Sequence, residues 1–321
     1  MHSFKELSAI FTRDFNTSHF PKEPQSLYRA NDYFLGLGGK RIRPVMCLMG
    51  NELFDEIHAD AWQVATAIEL FHNFTLIHDD IMDDAALRRG LETVHHKYGS
   101  NTALLAGDVM LVVAYEYLNK ISSSYLKHII AIFSKAAKEV CEGQQMDMDF
   151  EKMEDVSLND YLKMIELKTS VLLAASLHMG AIIGGAGEGN CNHLYAFGKN
   201  LGIAFQVQDD YLDAFGDPEK VGKIIGGDIK QNKKTFLLIH ALETANDAQK
   251  KELKALLHEN NEDKVQRVLQ IFRDCNADDW AKELKQQYYN KALYHLDEIA
   301  VLSARKQPLI EIADFLIQRD Y

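Results

Sequence analysis

The 321-residue sequence has few of the residues that break or cross-link a chain. Only five prolines occur, and the four cysteines are scattered without a CxxC pair. These absences argue against a disulfide framework and against a zinc site built on paired cysteines. The hydrophobic residues (47%) and charged residues (26%) are in the proportions of a folded soluble protein, which excludes collagenous and disordered classes.

An excess of basic residues is also absent, since the formal net charge is −12. This balance argues against a general nucleic-acid-binding protein. Residues 1–16 lack the apolar stretch of a secretory signal, and no uncharged apolar run reaches membrane-spanning length. The longest candidate, residues 170–185, includes His178 and many small residues, which predicts a buried core helix. We therefore expect a cytoplasmic protein without an integral membrane segment.

Apolar residues recur at spacings of three and four along most of the chain, which is typical of amphipathic helices. Residues 64–77, 104–118 and 170–183 are apolar on nearly every side and are predicted to be central helices. Strand-like alternation and Asn-Gly hairpin signals are missing, and the glycine clusters are predicted to be loops. We predict an all-α fold, with residues 1–321 forming a single helical domain whose two halves supply similar parts.

An acidic cluster, residues 78–84, directly follows the first of these apolar helices. On a helix, Asp79 and Asp83 share one face and Asp80 lies beside them. Carboxylates this close repel one another unless a cation neutralises them, and an all-oxygen ligand set suits Mg²⁺. The alternative is a solvated acidic helix end, although surface charge runs seldom follow a buried helix.

A second cluster, Asp209-Asp210-Tyr211-Leu212-Asp213, repeats the spacing of the first. It also ends an apolar helical stretch, residues 203–208. Two such clusters are improbable as surface decoration. If they face each other across a cavity, they can hold several divalent ions, which would require an anionic substrate.

Short basic groups accompany the acidic clusters. They are Lys40-Arg41-Ile42-Arg43, Arg88-Arg89, Lys168-Thr169, Gly222-Lys223 and Lys233-Lys234-Thr235. Each group alone is typical of a solvated surface pair. Together they indicate a pocket that holds metal-bound phosphate on one side and metal-free phosphate on the other.

In this order, and together with Gly143-Gln144-Gln145-Met146-Asp147, these blocks resemble the trans-isoprenyl diphosphate synthases of the polyprenyl synthetase family. The resemblance implies a helical bundle of the isoprenoid synthase type, with a central cavity between two aspartate-rich helices. It also implies a homodimer that uses three Mg²⁺ ions. The implied reaction is the head-to-tail condensation of isopentenyl diphosphate with allylic diphosphates.

The resemblance also assigns roles to residues. Magnesium ligands are Asp79, Asp83 and Asp209, with Asp80, Asp210 and Asp213 as direct or water-mediated support. The allylic diphosphate is assigned to Arg88, Lys168 and Lys233, with Lys223 beside them, and isopentenyl diphosphate to Lys40, Arg43, His72 and Arg89. Neutral oxygen dipoles near the allylic cation are expected from Thr169, Gln206 and the Lys168 carbonyl.

Product length in this family depends on side-chain bulk below the first aspartate cluster. Phe74 lies five residues before Asp79, about 7.5 Å along a helix, and Phe71 lies nearly one turn lower. This pattern resembles the short-chain enzymes, and we favour a C20 product over C15. The alternatives are a synthase of products of C30 or longer and a non-catalytic partner subunit. A terpene cyclase would not need Lys40 and Arg43.

Some residues near these blocks receive simpler interpretations. His95 and His96 are interpreted as part of a surface turn without a metal site. His78 is either a partner of the aspartates or a packed histidine. Asp147 either reaches the metal region or is a buried hydrogen-bonding group. At the C-terminus, Arg319 could replace only in part the basic tail of some relatives.

Overall fold

The computed structural model describes residues 1–15, 18–217, 225–259 and 263–318. Helices make up most of this part of the chain, which confirms the predicted all-α class. The helices are α1 (Phe4–Phe15), α2 (Gln25–Gly36), α3 (Ile42–Glu52), α4 (Ala59–Met82), α5 (Val94–Tyr98), α6 (Ser100–Leu118), α7 (Ser123–Lys152), α8 (Leu158–Ile165), a π-turn (Glu166–Ser170), α9 (Val171–Ile183), α10 (Glu188–Phe215), α11 (Gly227–Lys230), α12 (Phe236–Thr244), α13 (Asp247–Leu256), α14 (Lys264–Asp274), α15 (Ala277–Asp297) and α16 (Ser303–Gln318).

The three predicted central helices are confirmed. Residues 64–77 lie in α4, residues 104–118 in α6, and residues 170–183 in α9 and the last residue of the π-turn. Apolar side chains of these helices, such as Ile68, Met110 and Leu177, are fully buried. In α4 and α9 the apolar character on nearly every side therefore reflects burial from several directions, whereas α6 also exposes apolar side chains such as Leu105 and Val112.

A minimal antiparallel hairpin joins α4 to α5. Strand β1 (Leu87–Arg88) pairs with strand β2 (Leu91–Glu92), and Arg88 lies opposite Leu91. The connecting residues Arg89 and Gly90 have φ angles of 55° and 77°, as a two-residue type I′ turn requires. The sequence carries no Asn-Gly signal for this hairpin, because Arg89 takes the left-handed position where asparagine is usual.

The chain forms two compact units. The first unit contains residues 1–134, 175–192 and 300–308, and the second contains residues 135–174, 193–299 and 309–321. Each unit carries one of the two acidic clusters. The single domain over residues 1–321 stays a prediction.

In the first unit, the backbones of α3 and of the α9 residues that belong to this unit come into contact. A Cβ atom added at Gly180 would overlap the Cys47 carbonyl and lie 2.9 Å from the Asn51 nitrogen. Only glycine permits this approach. It holds α9 against α3, the helix that begins within the basic group at Lys40. Helix α4 packs along both α3 and α6.

In the second unit, the core gathers apolar side chains from α8, α10, α12, α13, α14 and α15. Phe236, Leu253 and Phe272 are almost completely buried there. Lys264 is also buried, and its Nζ atom donates to Asn232 Oδ1 at 2.5 Å and to the Glu259 carbonyl at 3.2 Å. A buried ammonium group needs such acceptors, so this lysine links the segments around Asn232 and Glu259 within the second unit.

The predicted buried core helix is confirmed. The helical stretch Leu158–Ile183 is long and apolar enough to cross a membrane by length and composition, but 72% of its most apolar window is buried inside the protein. It is therefore a core helix, as predicted. All four cysteines are free thiols.

Candidate active site

The first acidic cluster lies in the last turn of α4 and just beyond it. Asp80 is buried, Asp79 is half-buried, and Asp83, which is exposed, is the residue at which the helix ends. The C-terminal end of a helix carries the negative pole of its dipole, so carboxylates there are unfavourable. Their accumulation at this end favours a site that a cation neutralises.

Arg88 of the hairpin holds the buried Asp80. Its Nε atom donates to Asp80 Oδ1 at 2.9 Å and to Oδ2 at 2.8 Å, and its Nη2 atom donates to Oδ1 at 2.7 Å. The two residues, predicted to bind diphosphate and to support metal respectively, are thus paired with each other. This charge-assisted contact fixes the hairpin to the end of α4.

The four residues predicted to hold isopentenyl diphosphate line one cavity of about 420 Å³ in the first unit. They are Lys40, Arg43, His72 and Arg89. Arg43 Nη1 donates to His72 Nε2 at 3.2 Å, and Arg89 Nη1 donates to the Gly38 carbonyl. Arg41 also borders this cavity, but it is buried in an ion pair with Glu69.

Burial and mutual repulsion change the protonation of this cationic pocket. The pKa of His72 is well below its usual value because the ring is desolvated and faces the guanidinium groups of Arg43 and Arg89. His72 is therefore neutral, and because Nε2 accepts from Arg43, its proton is on Nδ1. Burial also lowers the pKa of Arg43 to about 10, and its Nε atom is buried without a hydrogen-bond partner. An anion with several oxygens would satisfy these donors.

The second acidic cluster ends α10 in the second unit and borders a separate cavity. Six predicted site residues line it, together with Asp147. The six are Lys168, Thr169, Gln206, Asp209, Asp210 and Lys233. The structure thus brings residues from α7, the π-turn, α10 and the segment after α11 to one place.

The π-turn presents Lys168 and Thr169 to this cavity. Lys168 Nζ donates to Asp147 Oδ2 at 2.5 Å, and Thr169 Oγ1 donates to Gln206 Oε1 at 3.3 Å. A Cβ atom at Gly143 would overlap the Lys168 backbone nitrogen and lie 2.7 Å from the Leu167 carbonyl carbon. Since π-turns occur mostly at functional sites, this close packing supports a specific orientation of both side chains.

Asp210 is a buried carboxylate with two donors. It accepts from the Tyr161 hydroxyl and, at 2.9 Å, from Gln206 Nε2. Burial first, and then repulsion from Asp228, raises the pKa of Asp210 well above its usual value, although both hydrogen bonds act in the opposite direction. Negative charge is therefore in excess around this cavity.

Asp213 has a different position from its two predecessors. It is not among the residues lining the cavity, and its Oδ2 atom accepts from the Asp228 backbone nitrogen at 3.0 Å. This contact anchors the start of α11, where Asp228 lies 3.4 Å from Lys233 Nζ. The predicted ligand Lys223, like Arg319, lies outside the described residues.

Sequence reasoning gave no role to Tyr161 and Asp228, although both line the cavity of the second unit. A signal for Tyr161 exists, because it precedes Lys168 by seven residues, two helical turns, on one side of the helix. Asp228 follows the Gly226-Gly227 pair within a block that carries the family resemblance.

The histidines near the first cluster differ in their surroundings. His78 is a packed histidine, with Nε2 3.0 Å from the Leu104 carbonyl oxygen and its ring edge against Phe74. The surface-turn expectation is wrong at His95, which is buried in α5; neither ring nitrogen has a hydrogen-bond partner, and Nε2 lies 3.7 Å from Asp84 Oδ1. Ligand atoms of Asp84, His95 and His96 lie within 4.8 Å of one another.

Phe71 and Phe74 contact each other on α4 below the first cluster, with their rings tilted by 49° and their centroids 5.5 Å apart. Phe71 is 1% exposed and packs edge-on against Phe133, whereas Phe74 is half-buried. The two aromatics therefore form successive layers of the first unit. Their role in product length stays a prediction.

Both acidic clusters fit Mg²⁺ by the chemistry of their donors. Each offers carboxylate oxygens at the negative end of a helix, and the second cluster adds Asp147 and Asp228 around the same cavity. Oxygen ligands with room for water and phosphate oxygens are the preference of this ion.

Comparisons with known proteins agree with this geometry. The family model described as polyprenyl synthetase matches residues 24–275. The geranylgeranyl pyrophosphate synthase of Geoglobus acetivorans is 40% identical over 94% of this chain and 93% of its own. The geranylfarnesyl diphosphate synthase of Natronomonas pharaonis is 35% identical, over 94% and 92%. A crystal structure of a geranylgeranyl pyrophosphate synthase superposes with a TM-score of 0.94, at 43% identity and 99% coverage of both chains.

Proposed function

The chain belongs to the polyprenyl synthetase family, and on that premise we propose that it condenses isopentenyl diphosphate head-to-tail (1′-4) with allylic diphosphates. The acceptable allylic substrates are dimethylallyl, geranyl and farnesyl diphosphate, and the products are short all-trans prenyl diphosphates plus diphosphate. The observation that carries this proposal is the combination of two acidic helix ends with a cationic pocket of fixed guanidinium groups.

Isopentenyl diphosphate binds in the cationic pocket of the first unit. Lys40, Arg43 and Arg89 supply positive charge, and neutral His72 supplies a hydrogen-bonding ring that Arg43 orients. Guanidinium groups match the paired oxygens of a diphosphate, so this site needs no metal ion. Binding gives the buried Arg43 Nε atom an acceptor.

The allylic diphosphate is held through Mg²⁺ and through lysines. Polyprenyl synthetases depend on Mg²⁺, and we assign three ions to Asp79, Asp83 and Asp209, with Asp80, Asp210 and Asp213 in support. Bound Mg²⁺ stabilises the negative charge that develops on the departing diphosphate. Lys168 and Lys233, with Arg88 and Lys223, contribute fixed positive charge to the same group.

The allylic cation that remains requires neutral dipoles rather than anions around it. The Thr169 hydroxyl, the Gln206 amide oxygen and the Lys168 carbonyl supply them. The double bond of isopentenyl diphosphate attacks the cation, and the departing diphosphate takes the proton that is lost. Every step uses groups that hold and orient substrate, and none needs a nucleophilic side chain.

A C20 product is favoured over C15, with Phe74 and Phe71 as the floor of the chain-binding cavity. The relatives named for geranylgeranyl products support C20. The geranylfarnesyl relative marks one further C5 unit as the next outcome to test. Products of C30 or longer are not favoured.

A homodimer in the cytoplasm is part of the proposal. Helix α6 exposes an apolar stripe, formed by Leu104 and Leu105 (49% and 54% exposed), Val112 (58%) and Tyr115 (36%). Because a monomer seldom exposes such a contiguous patch, we assign this face to a second copy of the chain. Val112→Asp should shift the dimer towards monomer in sedimentation. Leu302→Asp, at an equally apolar position that is 77% exposed, is the control and should not.

The proposed function is tested by incubating the protein with isopentenyl diphosphate, Mg²⁺ and each of the C5, C10 and C15 allylic diphosphates. Products are dephosphorylated and sized by chromatography. A discrete C20 or C15 product is expected, and Arg43→Met should raise the KM for isopentenyl diphosphate more than that for the allylic substrate. No elongation from any starter would contradict the proposal and leave a non-catalytic subunit.

A further inference from the structure

Four side chains of the second unit form one continuous chain of hydrogen bonds beside the cavity. The Tyr161 hydroxyl donates to Asp210 Oδ2, and Gln206 Nε2 donates to Asp210 Oδ1 at 2.9 Å. Thr169 Oγ1 then donates to Gln206 Oε1 at 3.3 Å. This series of hydrogen bonds begins at Tyr161, a residue to which the proposed function assigns no role.

The order of donors fixes what each group can present to substrate. Because both oxygens of Asp210 accept hydrogen bonds, the Gln206 amide must turn its nitrogen towards Asp210 and its oxygen towards Thr169. The hydroxyl proton of Thr169 is then engaged with Gln206. Oxygen lone pairs of Thr169 therefore remain for a positive charge in the cavity, as stabilisation of a cation requires.

The Tyr161 end of this series of hydrogen bonds is rigid and shielded from solvent. Tyr161 is 3% exposed and Asp210 is 6% exposed. The Tyr161 ring packs against Phe236, with centroids 6.0 Å apart, so its hydroxyl has a fixed direction. Asp210 with a fixed donor on one oxygen cannot rotate away from Gln206.

We propose that Tyr161 is a positioning residue, which acts through Asp210 to hold Gln206 and Thr169 with their oxygens towards the allylic cation. Asp210 thereby supports catalysis as an orienting group, whereas Asp209, which borders the cavity one position earlier, is the direct metal ligand of the pair. This inference rests on the proposed prenyl transfer. It adds Tyr161 to the residues involved and states that Tyr161 acts through Asp210 on Gln206 and Thr169.

Tyr161→Phe tests the proposal, because it removes one hydroxyl and keeps the ring. We expect kcat to fall about tenfold, the effect of losing one hydrogen bond to a charged group, while both KM values stay within about twofold. A larger share of the allylic diphosphate should end as the free alcohol, since a poorly stabilised cation is trapped by water.

The matched control is Tyr289→Phe. Tyr289 also donates its hydroxyl to a carboxylate, that of Asp314, but it is not among the residues lining the cavity. This variant should lose a similar amount of stability in urea while kcat stays unchanged. An equal fall of kcat in both variants would reduce the effect of Tyr161 to general destabilisation and overturn the proposal.

A binding measurement separates orientation from metal ligation. Calorimetric titration of Mg²⁺ in the presence of inorganic diphosphate should give unchanged affinity for Tyr161→Phe, at least tenfold weaker affinity for Asp209→Asn, and a clearly smaller loss for Asp210→Asn. Weakened binding in Asp210→Asn equal to that in Asp209→Asn would overturn the orienting role. If the unaltered protein forms no prenyl product, the proposed function fails, and this titration still decides the role of Asp210.

Discussion

Replacing Phe74 by alanine should lengthen the product by one C5 unit and no more. Phe74 is the upper of two aromatic layers on α4, and Phe71 lies three residues lower, about 4.5 Å along the helix at 1.5 Å per residue. This separation is close to what one isoprene unit adds to an extended chain. The shortened side chain removes the first layer and leaves the second, so growth stops again at Phe71.

The same geometry sets the cost in stability. Phe71 is 1% exposed and packs between Phe74 and Phe133, so Phe71→Ala should lower the free energy of unfolding by about 3–5 kcal/mol. Phe74 is half-buried, so Phe74→Ala should lower it by less. Phe71→Ala alone should leave the product length unchanged, because the upper layer is intact. The double variant should give products two or more units longer.

The assay sizes dephosphorylated products from each allylic starter and is paired with urea unfolding of every variant. Phe34→Ala is the control, because Phe34 is fully buried in α2 and should lose stability without any change in product length. A folded Phe74→Ala enzyme with the product distribution of the unaltered protein would refute the floor assignment. Products of C30 or longer from this single variant would refute Phe71 as the second layer.

Other perturbations test the electrostatics and packing of the site. Because the pKa of His72 is lowered, the unfolded chain binds a proton near pH 6.5 that the folded chain does not. His72 should thus lower the free energy of unfolding below that pH, by at most about 1.4 kcal/mol per pH unit. His72→Gln should remove this share of the slope in urea titrations from pH 5 to 7, while the shares of His19 and His295, whose pKa values burial also lowers, remain. Arg88→Met leaves the carboxylate of Asp80, 2% exposed, without its partner and should lower the urea-derived stability by about 3–5 kcal/mol, with partial recovery when Asp80→Asn is added. Gly143→Ala should displace the π-turn and lower kcat in the product assay, whereas Gly189→Ala, with nothing within 4 Å of its new Cβ, should not.

Helical periodicity predicts the parts of the site that depend on local spacing. The last turn of α4 carries Asp79, with Asp83 ending the helix, as a spacing of four requires, and the apolar run before them is a buried helix. Periodicity cannot predict contacts between distant segments. The Tyr161–Asp210 bond joins residues 49 positions apart, and a pairing of Arg88 with Asp80 depends on a hairpin that has no sequence signal.

Electrostatic imbalance in each unit links the structure to the proposed reaction. In the first unit, burial and then repulsion from neighbouring guanidinium groups hold His72 neutral, and burial lowers the pKa of Arg43 to about 10. In the second unit, burial and then repulsion from Asp228 raise the pKa of Asp210. In both units, burial among like charges disfavours the charged form of these side chains. Each unit is therefore less stable than it would be with neutral side chains at these positions. A diphosphate relieves the first imbalance and Mg²⁺ relieves the second, which makes ligand binding more favourable at both sites. The selectivity follows from the sign of the charge: a metal-free anion is attracted to the pocket at Arg43, and an anion can bind beside Asp209 only when it brings cations with it.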